Sequence, residues 1–306
     1  MSTLSLSGLM LPVTSPFGTD GELDRSMFDA NARSWLAFAA GPERVRGFVV
    51  AGSSGEAALL DDTERGTLLE WAREVLGASR TLIAGVGSES ARQTIARARV
   101  AKAAGADAVL VVAPHYYLKR TTPAALEAHY RAIADASPLP VLLYNIPVYA
   151  HLVLEPALVH TLSTHPNVVG MKDSAGNLEM LREYLAAQGD TFRVLTGSGG
   201  TLQRALTMGV SGAILAIGLY ATAQVLALVA AQQEGHTADA ETIQASLVPL
   251  ATDIAAALGP AGIKAAMDAV GLMGGTPRLP LLPVSDEERA RVLDRLTVAG
   301  VMPAAV

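Results

Sequence analysis

The run Val210-Ser211-Gly212-Ala213-Ile214-Leu215-Ala216-Ile217-Gly218-Leu219-Tyr220 continues into a second apolar stretch, Ala221-Thr222-Ala223-Gln224-Val225-Leu226-Ala227-Leu228-Val229-Ala230-Ala231. Together they approach the roughly 20 residues that carry a helix through a bilayer. Two features argue against a membrane span. Gly212 and Gly218 interrupt the run, and its period changes midway, from a β-like apolar core over 213–217 to a helical pattern over 221–231. A short strand followed by a helix is expected, which is the repeating unit of a parallel sheet covered by helices.

The same unit recurs upstream. Apolar strand-like runs are expected at 8–16, 47–51, 81–87, 108–113, 140–144, 168–172, 192–196 and 211–216. Amphipathic helical segments lie between them at 24–38, 61–76, 91–104, 123–136, 155–162, 178–187 and 202–208. Several helices begin at capping residues, in Asp61-Asp62-Thr63-Glu64, in Thr121-Thr122-Pro123 and at Asn177, while Gly105 and Gly209 stand where helices stop. Eight units suit closure into a barrel. No Gly-x-Gly-x-x-Gly turn follows the first strand, which weakens an open, doubly wound sheet. The expected fold class is therefore α/β, a (β/α)8 TIM barrel over residues 1–225. A C-terminal helical extension is expected over 226–306, from segments 240–257, 263–270 and 286–299, because no Pro/Ser/Gly-rich linker sets them apart.

Composition bounds the function. The chain has 306 residues, half of them hydrophobic and 17% charged, so a large core is available and disorder is not expected. A net charge of −6 argues against nucleic acid or an anionic membrane as partner, since both select clustered positive charge. Without cysteine there is no disulfide, thiolate metal site or cysteine nucleophile. The stretch Met1-Ser2-Thr3-Leu4-Ser5-Leu6-Ser7 lacks a basic region ahead of an apolar one, so no signal peptide is expected and the cytoplasm is the expected location. The six histidines show no ligand-like spacing, and no metal site is expected.

The chemically informative residues fall at strand C-termini, which a barrel gathers on one rim. Gly52-Ser53-Ser54-Gly55-Glu56 follows the second strand, His115-Tyr116-Tyr117 the fourth, and Gly197-Ser198-Gly199-Gly200 the seventh. Tyr144-Asn145-Ile146-Pro147 closes the fifth. Lys172 closes the sixth, in Val168-Val169-Gly170-Met171-Lys172-Asp173-Ser174, and is one of four lysines with Lys102, Lys119 and Lys264. An ammonium among apolar neighbours is desolvated, which disfavours its charged form, and a neutral amine attacks a ketone to form an imine. The competing reading is a strand-end lysine that snorkels to water. Tyr144 is the expected proton shuttle, against a buried core tyrosine as the alternative. Gly52, Ser53, Ser54 and Gly55 offer hydroxyls and backbone N–H groups for a carboxylate. His151 follows closely enough to be a substrate contact, and Gly197-Ser198-Gly199-Gly200 is read as a close backbone approach to the pocket. The iminium is its own electron sink, so no cofactor is expected. A Gly-x-Ser-x-Gly hydrolase elbow is not found in a strand–turn–helix.

The blocks Gly52-Ser53-Ser54-Gly55-Glu56, Tyr144-Asn145-Ile146-Pro147 and Gly170-Met171-Lys172-Asp173-Ser174 together resemble the signatures of the dihydrodipicolinate synthase / N-acetylneuraminate lyase superfamily. The resemblance runs from Leu11-Pro12-Val13-Thr14-Ser15-Pro16-Phe17 to Arg278-Leu279-Pro280-Leu281. It implies class I aldolases or synthases that hold pyruvate as a Schiff base, on a barrel that assembles as a homo-oligomer, dimer or tetramer. By it, Lys172 is the Schiff-base lysine, Tyr144 the proton relay and Ser53 its link to a second tyrosine, Tyr117, donated across a dimer interface. Ser54 and Ile214 line the pyruvate-carboxylate site, and Ser174 orients the substrate. Dihydrodipicolinate synthases place an arginine where this chain has Tyr149, in Pro147-Val148-Tyr149-Ala150, and a phenol lacks the bidentate grip of a guanidinium. The segments Arg46-Gly47-Phe48-Val49-Val50, His165-Pro166-Asn167-Val168-Val169-Gly170 and Lys172-Asp173-Ser174-Ala175-Gly176 look most like 4-hydroxy-2-oxoglutarate aldolases. The expected reaction is cleavage or formation of a 4-hydroxy-2-keto acid from pyruvate and an aldehyde. The alternatives are 4-hydroxy-tetrahydrodipicolinate synthesis, a 2-keto-3-deoxy sugar acid aldolase or dehydratase, and a non-catalytic relative that binds keto acids.

Overall fold

In the computed structural model, which describes residues 4–302, strands and helices alternate. The first half runs β1 (Gly8–Pro12), α1 (Arg25–Ala37), β2 (Glu43–Val50), α2 (Asp62–Leu76), β3 (Thr81–Gly85), α3 (Ala91–Ala103), β4 (Ala108–Val112) and α4 (Pro123–Ala136). It continues with β5 (Val141–Asn145), α5 (Pro147–Ala150), α6 (Pro156–Ser163), β6 (Val168–Asp173), α7 (Leu178–Leu185), β7 (Arg193–Thr196), α8 (Leu202–Met208), β8 (Gly212–Ile214) and α9 (Thr222–Gln233). Each strand pairs in parallel with the next, and β1 pairs with both β2 and β8. The sheet therefore closes, and the chain is a TIM barrel.

Alternation along the strands sorts the apolar residues into two cores. Met10, Val49, Ile83, Leu110, Leu142 and Ile214 point inward and fill the barrel. Leu9, Leu11, Phe48, Val50, Leu82 and Val109 point outward and pack under the helices. Glycine appears where strands crowd. A Cβ on Gly170 would lie 2.5 Å from the Arg193 carbonyl oxygen of the neighbouring strand.

The expected caps form. Asp61 accepts from Glu64 N and Glu64 returns a bond to Asp61 N, Thr122 caps Ala125 N ahead of Pro123, and Asn177 caps Glu179 and Met180. Gly105 and Gly209 take φ of +85° and +98° at helix ends. Several boundaries move, and three of the shifts have a visible cause. Past Pro12 the chain leaves the sheet, and Ser15 Oγ donates instead to Gly55 O at 2.7 Å. Strand β2 begins at Glu43 rather than at 47, because Glu43-Arg44-Val45-Arg46-Gly47 alternates buried and exposed positions and hairpins back onto Ala39–Ala40. The helix expected over 240–257 divides into α10 (Thr237–Pro249) and a π-helical segment, Leu250–Ala256. Pro249 has no N–H to give the helical ladder, and a wider turn follows it.

Beyond α9, which covers residue 225 where the barrel unit was expected to end, the chain adds α10, the π segment, α11 (Gly259–Ala269) and α12 (Asp286–Val298). Among the described residues no helix is long and apolar enough to cross a membrane. Met1, Ser2 and Thr3 of the N-terminal stretch lie outside the described residues.

The extension is tied to the rim by charge. Lys264, on α11, is 1% exposed, and its Nζ lies 2.5 Å from Glu56 Oε1. The same ammonium donates to Thr276 O at 2.9 Å, and Arg278 N donates to Glu56 Oε2 at 2.8 Å. Arg278 also grips Glu64 through both terminal nitrogens, at 2.7 and 2.5 Å, which holds the Glu64 carboxyl below its usual range. Burial lowers the Lys264 pKa, and Glu56 opposes that shift. A buried pair stripped of one member leaves a charge without compensation. Lys264→Met should therefore lower the unfolding free energy by about 3–5 kcal/mol, whereas Lys264→Met with Glu56→Leu should recover most of the loss. Denaturant titration of both variants checks this, and equal losses would refute the ion-pair account.

Candidate functional site

Lys172 and Tyr144 are register partners on adjacent strands, and the next pair along is Asn145 with Asp173. Met171 faces the outer core, so the alternation turns Lys172 into the barrel beside Tyr144. Lys172 is 5% exposed. Its Nζ donates to the Tyr144 hydroxyl at 3.2 Å and lies 4.4 Å from the ring centroid. No carboxylate among the described residues forms an ion pair with it, in contrast to Lys264. Ser53 Oγ stands 3.5 Å from the same Tyr144 hydroxyl.

The register is locked one residue further on. Asn145 Nδ2 donates to Asp173 Oδ1 at 2.7 Å, Ala175 N donates to the same oxygen at 3.2 Å, and Leu154 N donates to Asn145 Oδ1 at 3.0 Å. Burial pushes the Asp173 carboxyl up, and the bonds from Asn145 and Ala175 pull it partly back. Sequence reasoning named neither residue as part of the site, although each directly follows a residue that it did name.

Ser53–Gly55 forms a single 3₁₀ turn between two strained positions, Ala51 (φ 56°) and Glu56 (φ 53°). Its first internal bond runs from Gly55 N to Gly52 O at 3.0 Å, so the N–H groups of Ser53 and Ser54 precede it and lie at the rim. Gly197 meets the site from β7. A Cβ there would sit 2.6 Å from Lys172 Cε and would collide with Ser174 Oγ. This is the close backbone approach that the glycine-rich turn suggests.

These groups line one cleft of about 260 Å³ at the C-terminal rim. Ser53, Ser54, Tyr144, Lys172, Ser174, Ile214 and Tyr149 all reach it. Tyr149 extends from α5 toward the start of α11, where a Cβ on Gly259 would lie 3.2 Å from its hydroxyl. Gly52 and Gly55 shape the turn from outside the lining. A Cβ on Gly55 would press on the Val13 carbonyl oxygen at 2.8 Å. Two expected residues stand apart from the cleft. His151 caps α5 in the left-handed region (φ 53°) with an exposed side chain, because the chain turns there to leave the rim. Tyr117 is 72% exposed on the loop after β4, with its ring edge-on to Tyr116 at 4.9 Å. Among the described residues no cluster of three His, Asp or Glu side chains is placed to hold a metal.

An amine hydrogen-bonded to a phenol, with a second hydroxyl behind it and turn N–H groups alongside, has the parts for carbonyl attack and proton relay. Comparison with known proteins places the chain among relatives of the same fold. The family model for the dihydrodipicolinate synthetase family matches residues 5–299. A 4-hydroxy-tetrahydrodipicolinate synthase of Stenotrophomonas maltophilia (strain K279a) is 37% identical over 291 residues, 94% of each chain. A dihydrodipicolinate synthase structure from Bacillus anthracis superposes with a TM-score of 0.90 at 28% identity, covering 98% of this chain and all of that one. A chloride-inhibited dihydrodipicolinate synthase from Acinetobacter baumannii, solved with pyruvate, superposes with a TM-score of 0.90 at 26% identity, covering 97% and 100%.

Two outcomes follow from the geometry. Gly197→Ala should displace Lys172 while leaving the distant core intact, so activity should fall at least tenfold with an almost unchanged melting temperature; full activity would contradict the crowding argument. Asp173 holds its proton more tightly folded than unfolded, so its contribution to stability falls as pH rises from about 3.9, the unfolded value, through the raised folded one. Asp173→Asn should remove that decline, and denaturation midpoints of the two proteins that track in parallel across this range would rule it out.

Proposed function

The chain belongs to the dihydrodipicolinate synthetase family, and from that premise we propose that it joins pyruvate to an aldehyde, or runs the reverse cleavage, through an imine on Lys172. The observation that carries this reading is the buried Lys172 amine, without a counter-ion among the described residues and 3.2 Å from the Tyr144 hydroxyl. Pyruvate is bound in the Acinetobacter baumannii structure, which supports it as the first substrate.

The neutral amine attacks the keto carbon, and the carbonyl oxygen leaves as water after two protonations. The iminium then draws electrons from C3, which gives up a proton to form the enamine. That carbon bonds to the aldehyde carbon, and the new alkoxide takes a proton. Water attacks the resulting iminium, and the product departs as Lys172 regains its amine. Tyr144 is suited to carry each of these protons, since its hydroxyl touches both Lys172 Nζ and the approach of Ser53 Oγ. Ser54 and the leading N–H groups of the 3₁₀ turn are suited to receive the pyruvate carboxylate. The protein needs no added cofactor for this sequence. Tyr117, exposed beside Tyr116, is suited to serve a second copy across a dimer interface.

Among acceptors, the name carried by the Stenotrophomonas relative favours 4-hydroxy-tetrahydrodipicolinate synthesis over 4-hydroxy-2-oxoglutarate cleavage. Both of those reactions involve an aldehyde that bears a carboxylate, and Tyr149 is where this chain departs from the arginine that holds one.

Pyruvate with borohydride should add one reduced pyruvate to Lys172, located by peptide mass analysis. Tyr144→Phe should still be trapped, more slowly, while turnover drops about 10²–10⁴-fold, the usual loss on removing a positioned proton carrier. Unmodified Lys172 in the treated wild-type protein would sink the imine reading.

A further inference from the structure

The lining of the cleft contains a polar set and an apolar set of side chains. Ser53, Ser54, Tyr144, Lys172 and Ser174 gather at the inner end, under the turn after β2 and the ends of β5 and β6. The outer end is built differently. Val148 and Tyr149 line it from α5, and Ala251, Ala255, Pro260 and Ile263 from the π segment and α11. Lys172 is the only ionisable acid or base in the lining apart from the phenols.

The polar atoms of the outer end are already engaged or stay uncharged. Thr252 donates to Val248 O at 3.1 Å and lies 2.8 Å from Asp253 Oδ1. Asp253 itself turns away to Arg295, whose Nε donates to it at 2.6 Å. Burial, with Tyr144 nearby, raises the Tyr149 pKa, so its hydroxyl remains neutral. Lys119 and Arg120, on the turn after β4, do not line the cleft, and neither do Lys264 and Arg278, which are paired with Glu56 and Glu64. A carboxylate carried into this outer end would lose water and meet no cation, which is costly. An apolar group would instead cover Val148 and Tyr149, which are 63% and 42% exposed, and take apolar surface out of water.

We propose that the aldehyde taken by this chain is uncharged and carries an apolar tail, received between Val148 and Tyr149 on one side and Ala251, Ala255, Pro260 and Ile263 on the other. This rests on the imine reading, departs from the carboxylate-bearing acceptor that the relative's name favours, and names the second substrate of the same site. The π segment makes the space. Its widened turn presents Ala251 and Ala255 to the cleft, and their small side chains leave room that larger residues would fill.

The experiment pairs borohydride trapping of pyruvate with aldehyde-dependent consumption of pyruvate by the purified full chain. The aldehydes are butanal, benzaldehyde, glyceraldehyde, glyoxylate and aspartate semialdehyde. Butanal or benzaldehyde should give a kcat/KM at least tenfold above glyoxylate and aspartate semialdehyde. Tyr149→Arg should narrow or reverse that ratio at least tenfold, and Tyr149→Phe should preserve it, which separates a change of preference from damage to folding. Trapping at Lys172 together with a preference for a carboxylate-bearing aldehyde, or for glyceraldehyde, overturns this inference and leaves the imine reading standing. Trapping with no aldehyde consumed also overturns it. Failure of trapping overturns both.

Discussion

Everything at the rim depends on the hydrogen bond between Lys172 and Tyr144 across β5 and β6. Burial by itself does not distinguish this lysine, because Lys264 is buried more deeply. The difference lies in what each amine faces. Lys264 meets the carboxylate of Glu56, which compensates a charge taken out of water. Lys172 meets a phenol, which hydrogen-bonds without compensating a charge. One amine is held in an ion pair, and the other is left in contact with a phenol.

Barrel closure converts that local contact into a site. Neighbouring strands fix Tyr144 beside Lys172 through backbone register, and Asn145 with Asp173 keeps that register from slipping. Gly197 brings a third strand close to the lysine stem, leaving the side chain little freedom to leave its position. The strained residues Ala51 and Glu56 bracket the turn that supplies Ser53 and Ser54. Strain of this kind persists only where surrounding contacts over-determine it. Here Lys264 and the backbone N–H of Arg278 supply those contacts from the far end of the chain.

Much of this was legible in the sequence. The eight apolar runs and their caps indicate the barrel, because parallel strands buried on both faces need continuous apolar sequence. Lys172, Tyr144, Ser53, Ser54, Ser174, Ile214 and Tyr149 fall at strand ends or turns, and the fold brings all of them to one cleft. What was hidden is non-local. Nothing in the spacing of Glu56 and Lys264 reveals that they meet across more than two hundred residues. The positions of Tyr117 and His151 depend on how loops leave the rim, which strand periodicity does not encode. The start of β2 and the π segment had visible signals, in the alternation of Glu43-Arg44-Val45-Arg46 and in Pro249, that a helix-or-strand template passes over.

The Glu56–Lys264 contact has a bearing on how the molecule comes into being. During synthesis the serine turn emerges long before α11, and until α11 docks Glu56 is an acid with no cation to meet. A nascent chain that has completed all eight strands thus still holds an imperfectly fixed serine turn. The cleft is complete only once α11 has docked.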